Sequence, residues 1–427
     1  MELNTSMVIG NVMRKLVDEG VTDFDSIAEA MESLKDMQNR EGLYSNDRYT
    51  ERGSDSQAVV ITEHSGMKKD CILWCVNHYL GLNRNPRVIA KSKEIIERYG
   101  TGAGTSAMSG GMNSLHKEIE TRINAMVGKE RTLLFPTGYS ANLGAISAIP
   151  GKNDLILFDH QSHASIIDGC KLSGKQWLAF KHNNVADLEA KLQRSQGKFQ
   201  NILVVVEAAY SMSGDLAPLK AITALKKKYK FYLYVDEAHS FGFYGQGGRG
   251  YCYEQGVTDD VDFIMSTLSK ATASIGGFVA TKRKYCTLMS WHANSYIFQA
   301  CISPADAGAI LASLDEIESN PGLISGLHEK TAQMRKRLLE AGFDLGSSQS
   351  PIIPIYVREP KTLFAFGRGL YENGIFSVTI AFPAVKLSEG RLRFILNASH
   401  TQAQIDRTLE ILKKVGGELG IVPRVGG

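Results

Sequence analysis

The 427-residue sequence has no uninterrupted apolar run of the roughly 18 to 20 residues needed to cross a bilayer. Its amino terminus lacks a basic stretch followed by an apolar core, so no secretory leader is expected and a cytoplasmic location is. Cysteine is scarce and scattered, with six residues at Cys71, Cys75, Cys170, Cys252, Cys286 and Cys301, a usage that excludes a disulfide scaffold. Only Cys71 and Cys75 lie close together. No second Cys or His pair stands near them, so plain packing rather than a metal is expected there. Charge of one sign is also missing: 48 basic against 45 acidic residues leave a net charge of +3. Without a concentrated basic stretch there is no electrostatic footprint for nucleic acid. Internal repeats and low-complexity tracts are absent as well. Hydrophobic residues at 43% and charged residues at 22% are ordinary globular usage, which argues against disorder.

What the chain does contain is long enough for two or three domains on the usual size relation. In residues 1–70 helical periodicity shows at Val8, Val12 and Leu16 and again at Ile27, Met31 and Leu34, and the polar run from Asn46 to Gln57 then interrupts it. This predicts an arm or small entry domain. Across residues 71–304, short β-forming runs alternate with helical patterns: Thr132–Phe135, Leu155–Phe158, Ile202–Val206, Tyr232–Val235, Phe263–Met265 and Phe278–Ala280. That alternation predicts an α/β fold with a mostly parallel sheet, and several runs lack polar residues, as strands covered on both faces do. Thr137, Asp159, His160, Glu207, Asp236 and Ser266–Lys270 follow the carboxyl ends of these runs, where open α/β sheets place ligands. Residues 305–427 start with a helical pattern and carry two strand-like runs, Ile352–Val357 and Arg391–Leu396. They are expected to form a smaller α+β domain.

The richest segments are Val235-Asp236-Glu237-Ala238-His239-Ser240, the turn Gly245-Gln246-Gly247-Gly248-Arg249-Gly250, and Ser266-Thr267-Leu268-Ser269-Lys270 followed by Gly276-Gly277. A pyridoxal-phosphate (PLP) enzyme needs a lysine amine to hold the cofactor as a Schiff base and an acid against the pyridine nitrogen. Asp236 and Lys270 suit those tasks. Alone, such an Asp is most often a cap and such a Lys a solvated side chain; the combination is more specific. Thr137-Gly138-Tyr139-Ser140, placed after a strand and before a helix, offers the backbone N–H groups that a phosphate dianion requires, with Gly138 and Tyr139 as donors. Gly102-Ala103-Gly104 is only a fragment of a dinucleotide fingerprint and carries no NAD site. Period-two alternation puts Arg391 and Arg393 on one strand face, and a guanidinium is the natural partner of an amino-acid carboxylate.

Together these motifs resemble the α-oxoamine synthases, and within that family the bacterial serine palmitoyltransferases. The likeness runs from Asn77-His78-Tyr79-Leu80-Gly81-Leu82 to Asn397-Ala398-Ser399-His400-Thr401. It implies the fold-type-I PLP transferase architecture, PLP as cofactor, and a homodimer with shared active sites. It assigns Lys270 to the Schiff base and to removal of the Cα proton, Asp236 to the ring nitrogen, His239 to the phenolic oxygen, and His163 to stacking on the ring. Without the resemblance His163 reads as a core histidine satisfied by backbone. Thr267 and Ser211 join Gly138 and Tyr139 among the implied cofactor contacts. Arg393, Asn77 and Ser109 are the implied substrate contacts, with Arg391 left to surface solvation.

Three departures from the family pattern bear on the substrate. Ala381 in Ile380-Ala381-Phe382-Pro383 stands where many relatives carry an arginine, which shifts carboxylate recognition toward Arg393. Ala107 likewise replaces a common arginine, and Phe298-Gln299-Ala300-Cys301 replaces hydroxyl residues that help hold the phosphate from the neighbouring subunit. The implied reaction is decarboxylative condensation of an amino acid, serine foremost, with an acyl thioester on coenzyme A or a carrier protein. Competing readings are an 8-amino-7-oxononanoate synthase-like activity, a fold-type-I aldolase or aminotransferase, and a non-catalytic regulatory subunit. Lys270 argues against the last.

Overall fold

The computed structural model describes residues 9–40, 47–382 and 384–423; Val8, Asn46 and Pro383, named above, lie outside them. The chain divides into two compact units, Asn77–Leu327 and a second made of Met1–Val76 with His328–Gly427. This differs from three consecutive blocks. The amino-terminal segment shares a unit with the carboxyl-terminal one because its strand Lys68–Leu73 pairs with Ile375–Phe376.

The unit Asn77–Leu327 is built on seven strands: β1 (Arg131–Phe135), β2 (Leu155–Asp159), β3 (Gln176–Phe180), β4 (Ile202–Glu207), β5 (Tyr232–Asp236), β6 (Phe263–Thr267) and β7 (Gly277–Thr281). Their order across the sheet is β1-β7-β6-β5-β4-β2-β3. All neighbours run parallel except β7, which is antiparallel to β1 and β6. Period-two alternation sends Leu133, Phe135, Ile156, Phe158, Leu203, Val205, Tyr234, Phe263 and Met265 into one apolar cluster with Ala141, Ala145 and Ile146 of α1 (Gly138–Ala148) and Ile166 and Cys170 of α2 (Ala164–Ser173). Leu155, Leu157, Val204, Leu233, Val235 and Phe278 between them are buried too, as in a sheet covered on both faces. The edge strand β3 escapes the sequence pattern because four of its five residues are exposed.

In the other unit, Ile352–Tyr356, Arg391–Ile395 and Val378–Ile380 form a three-stranded antiparallel sheet, with Arg391–Ile395 central. A second sheet orders Arg48–Thr50, Gln57–Thr62, Lys68–Leu73 and Ile375–Phe376. Helices Ile9–Asp18 and Phe24–Arg40 pack through Val12, Leu16 and Leu34, so the amphipathic spacing gives a helical hairpin. Cys71 is buried beside Val60, Leu73 and Tyr371. Burial pushes its thiol up to about 11, which keeps it neutral. Among the described residues no helix is long and apolar enough to cross a membrane.

Candidate active site

Parallel strands all present their carboxyl ends on one side, and loops leaving that side converge. A cavity of about 210 Å³ opens there, lined by Thr137, Gly138, Tyr139, Asn142, His163, Ser165, Glu207, Asp236, Ala238, His239, Met265, Thr267, Ser269 and Lys270. It therefore gathers Gly138, Tyr139, His163, Asp236, His239, Thr267 and Lys270, which lie up to 132 positions apart (270 − 138). Ser211 is not among the lining residues; it sits half-buried on the turn after Tyr210. Ser109, exposed at the end of the turn Ala107–Ser109, and half-buried Asn77 do not line the cavity either. Arg393 belongs to the other unit.

At one end of the cavity stands the start of α1. Thr137 caps it, its hydroxyl accepting from Ser140 N–H at 2.9 Å, and the first intrahelical bond runs from Ala141 N–H to the Thr137 carbonyl at 3.0 Å. The amides of Gly138 and Tyr139 precede that bond and point out of the helix, as first-turn amides do. A Cβ on Gly138 would lie 2.6 Å from Thr267 Cβ, so only glycine lets the helix start approach the end of β6. Thr267 Oγ1 and Ser269 Oγ, 2.7 Å apart, add hydroxyls on the same side.

Asp236 ends β5 and is only 3% exposed. Its two oxygens accept from Asn142 Nδ2 at 2.7 Å and from Ala238 N–H at 2.8 Å, and Asn142 Oδ1 in turn accepts from Tyr234 O–H at 2.8 Å. Asn142 is thus a tether that the sequence reading missed: it is an unremarkable polar residue in a helix until the fold sets it against Asp236. His239 is buried, with Nδ1 2.6 Å from Tyr79 O–H; Tyr79 stacks on Phe243 at 4.3 Å, which immobilises the pair.

His163 is not a core histidine. It caps α2, its Nδ1 accepting from Ser165 N–H at 3.3 Å, and its ring reaches the cavity. Desolvation lowers its pKa first, with Asp236 opposing and Lys270 adding to the shift. Because Nδ1 accepts, the ring proton of the neutral form sits on Nε2. The glycine-rich turn serves a different residue: Glu237 accepts from Tyr251 and Cys252 N–H, each at 2.7 Å, and from Ser240 O–H. Gly250, at φ 102°, leaves no room for a Cβ, which would meet Glu237 Oε2 at 2.5 Å.

Lys270 lies in the loop joining β6 to the antiparallel β7. That loop closes on itself through Leu268 N–H to Gly276 O at 2.9 Å and Ala273 N–H to Lys270 O at 3.0 Å. Arg391 differs from the expectation of surface solvation. It is 3% exposed, donates to Glu389 O at 2.8 Å and Tyr356 Oη at 2.9 Å, and lies 4.5 Å from the Tyr356 ring centroid. Burial against an aromatic face, with polar partners supplied, makes it a structural residue. The divergent segments around Ala107 and Ala300 are neighbours, bridged at Ser106 and Ala300, with Cys301 N–H donating to Thr105 O at 3.1 Å.

Residues 69–412 match the family model for aminotransferase class I and II. The chain is 37% identical over 374 residues to a serine palmitoyltransferase of Sphingobacterium spiritivorum, covering 88% of this chain and 92% of that one. It is also 37% identical over 399 residues to an 8-amino-7-oxononanoate synthase of Geobacter sulfurreducens, covering 93% and 99%. A solved serine palmitoyltransferase from S. paucimobilis with a bound PLP–myriocin aldimine superposes with a TM-score of 0.88 at 31% identity, covering 94% of this chain and all of that one. The chain belongs to the aminotransferase class I and II family, in its α-oxoamine synthase branch.

Proposed function

We propose that this chain uses PLP to join an amino acid, serine by preference, to a long-chain acyl thioester with loss of CO2. A bond forms between the amino-acid Cα and the acyl carbonyl carbon, the C–S bond breaks to release the thiol, and the carboxylate leaves as CO2 to give an α-aminoketone. The observation that carries this reading is the convergence of Lys270, Asp236, His163, His239 and the α1 amino terminus on one cavity. The residues fit the cofactor by their chemistry: a primary amine, a buried carboxylate, two imidazoles, and a helix start stripped of side chain at Gly138 beside hydroxyls.

PLP, when bound, supplies an aldehyde that condenses with amines and a ring that accepts an electron pair from Cα. Lys270 would hold that aldehyde, and its Nζ would take the Cα proton. Asp236, which accepts from Asn142 and Ala238, would face the ring nitrogen, and the Gly138 and Tyr139 amides with Thr267 would hold the phosphate. His163 would lie against the ring and His239 would bind its phenolic oxygen. Arg393 binds the substrate carboxylate. We further assign the enzyme to a cytoplasmic homodimer that feeds sphingolipid-type synthesis. Likeness to 8-amino-7-oxononanoate synthases over nearly the whole chain supports a second reading, with a different amino acid and acyl donor.

Borohydride reduction of the loaded protein followed by peptide mapping is expected to find the pyridoxyl label on Lys270. Label elsewhere, or none, overturns the proposal. A panel of amino acids, each followed by acyl-CoA and acyl-carrier thioesters, separates the readings: serine with long acyl-CoA should release CO2, whereas aldol cleavage and transamination need no thioester.

A further inference from the structure

Three adjacent parallel strands, β2, β4 and β5, each end in a buried acid: Asp159, Glu207 and Asp236, with exposures of 0%, 3% and 3%. Glu207 and Asp236 are register partners. Three carboxylates in a row in a desolvated site repel one another, so each needs compensation or a proton. Asp159 is compensated by His182, with Nδ1 at 2.9 Å, and by the Gln161 and Asn183 amides at 2.9 and 2.8 Å. Asp236 has Asn142 and Ala238. Glu207, between them, differs: Oε1 accepts from His163 N–H, while Oε2 accepts no hydrogen bond from any described residue, although the side chain lines the cavity.

We propose that Glu207 is a positioning residue acting as an uncharged carboxylic acid: Oε1 fixes His163 at the start of α2, and the proton on Oε2 leaves Asp236 as the charged carboxyl facing the cofactor ring. The inference rests on the PLP reading of this cavity. Two physical effects support it. Burial, and then the charge of Asp236, push the Glu207 carboxyl well above the usual carboxylate range, while Lys270 and the His163 amide oppose the shift. The same choice follows from hydrogen-bond supply, because the group with more donors keeps the charge. The His163 amide precedes the first intrahelical bonds of α2, which Ile166 and Ile167 make to the His163 carbonyl. Without Glu207 that amide loses its acceptor and the ring loses the anchor that sets its height in the cavity.

The test compares Glu207→Gln with Glu207→Ala. Glutamine keeps the acceptor for His163 and is neutral, as the acid is proposed to be. In infrared difference spectra of the cofactor-free protein at neutral pH, wild type minus Glu207→Gln should show a protonated-carboxyl C=O stretch. Only carboxylate bands in that difference would overturn the proposal, whatever the cofactor. PLP titration of the cofactor-free proteins gives the second readout: glutamine should hold the dissociation constant within about threefold of wild type, and alanine should raise it at least about tenfold with faster exchange of the His163 amide. Equal losses in both variants, or no loss in alanine, would also overturn it. If Glu207→Ala does not fold, the glutamine variant and its infrared spectrum decide. Failure of wild type itself to take up PLP marks failure of the underlying reading instead.

Discussion

Arg391 and Arg393 stand two residues apart on one strand, carry the same charge, and were separated in the sequence only by family likeness. The fold separates them by surroundings. Arg391 is held by Glu389 and the Tyr356 hydroxyl over the Tyr356 ring, a planar arrangement that an ammonium cannot reproduce. Arg391→Lys is therefore expected to lower stability by about 1–2 kcal/mol and to leave the amino-acid KM within about twofold. Arg393→Lys is expected to do the reverse, raising that KM by at least about tenfold with little change in the urea midpoint. Steady-state kinetics and urea unfolding of both variants check the contrast, and a KM effect at position 391 contradicts it. Asn142 gives a second residue-scale expectation. Asn142→Ala strips a donor from buried Asp236 and the acceptor from Tyr234 O–H, at a cost of about 1–3 kcal/mol per group left unpaired. Unfolding midpoints and PLP retention on dialysis should both fall.

At the scale of elements, the start of α1 is where the cavity wall leaves least room for a side chain. A Cβ at position 138 meets Thr267 at 2.6 Å, so Gly138→Ala must push α1 away from the end of β6. Overpacking of this kind costs about 1–3 kcal/mol. PLP affinity should fall more than stability does, because both displaced parts belong to the proposed phosphate cradle; equal PLP affinity in wild type and variant would contradict this. Most of this element was legible in the sequence, since a strand, a Thr-Gly turn and a helical run occur in order. The apolar strands of the large sheet were legible for the same reason: burial on both faces leaves continuous runs. Elements that do not bury themselves on both faces left no such mark, as with the exposed edge strand β3 and the three-residue strand Val378–Ile380. The position of Glu207 at a strand end was legible, but its relation to Asp236, like the part of Asn142, was not, for another reason. Glu207 gains its meaning from the strand register with Asp236, and Asn142 from a contact 94 residues away; neither relation exists until the sheet forms.

At the scale of the whole chain, each compact unit contains a histidine held by its neighbours, half-buried His182 in one and buried His400 in the other, and the two titrate in opposite senses. In the unit Asn77–Leu327, His182 bridges Asp159 at 2.9 Å and Asp215 at 2.6 Å. Desolvation opposes its charge, but the two acids prevail and raise it to about 9. In the other unit, His400 stacks on Trp74 at 4.0 Å, donates from Nε2 to Leu73 O at 3.0 Å, and accepts at Nδ1 from Asn397 N–H at 3.0 Å. Burial lowers it to about 4. Unfolded histidines titrate near 6.5. The stability contributed by His182 is therefore complete below about pH 6.5 and is lost as pH rises through about 9. For His400 the unfolded chain takes up the proton first, so stability is lost as pH falls from about 6.5 toward 4. Each shift corresponds to something on the order of 3 kcal/mol. Amide exchange, corrected for intrinsic rates, should show the His182 and Asp215 peptides loosening near about pH 9.5 and the Trp74 and His400 peptides loosening near about pH 5. His182→Gln should flatten the alkaline arm of a urea-midpoint profile, at lower overall stability, and leave the acid arm in place. An unchanged alkaline slope in that variant would show that the ion-paired histidine is not what ties this unit's stability to pH.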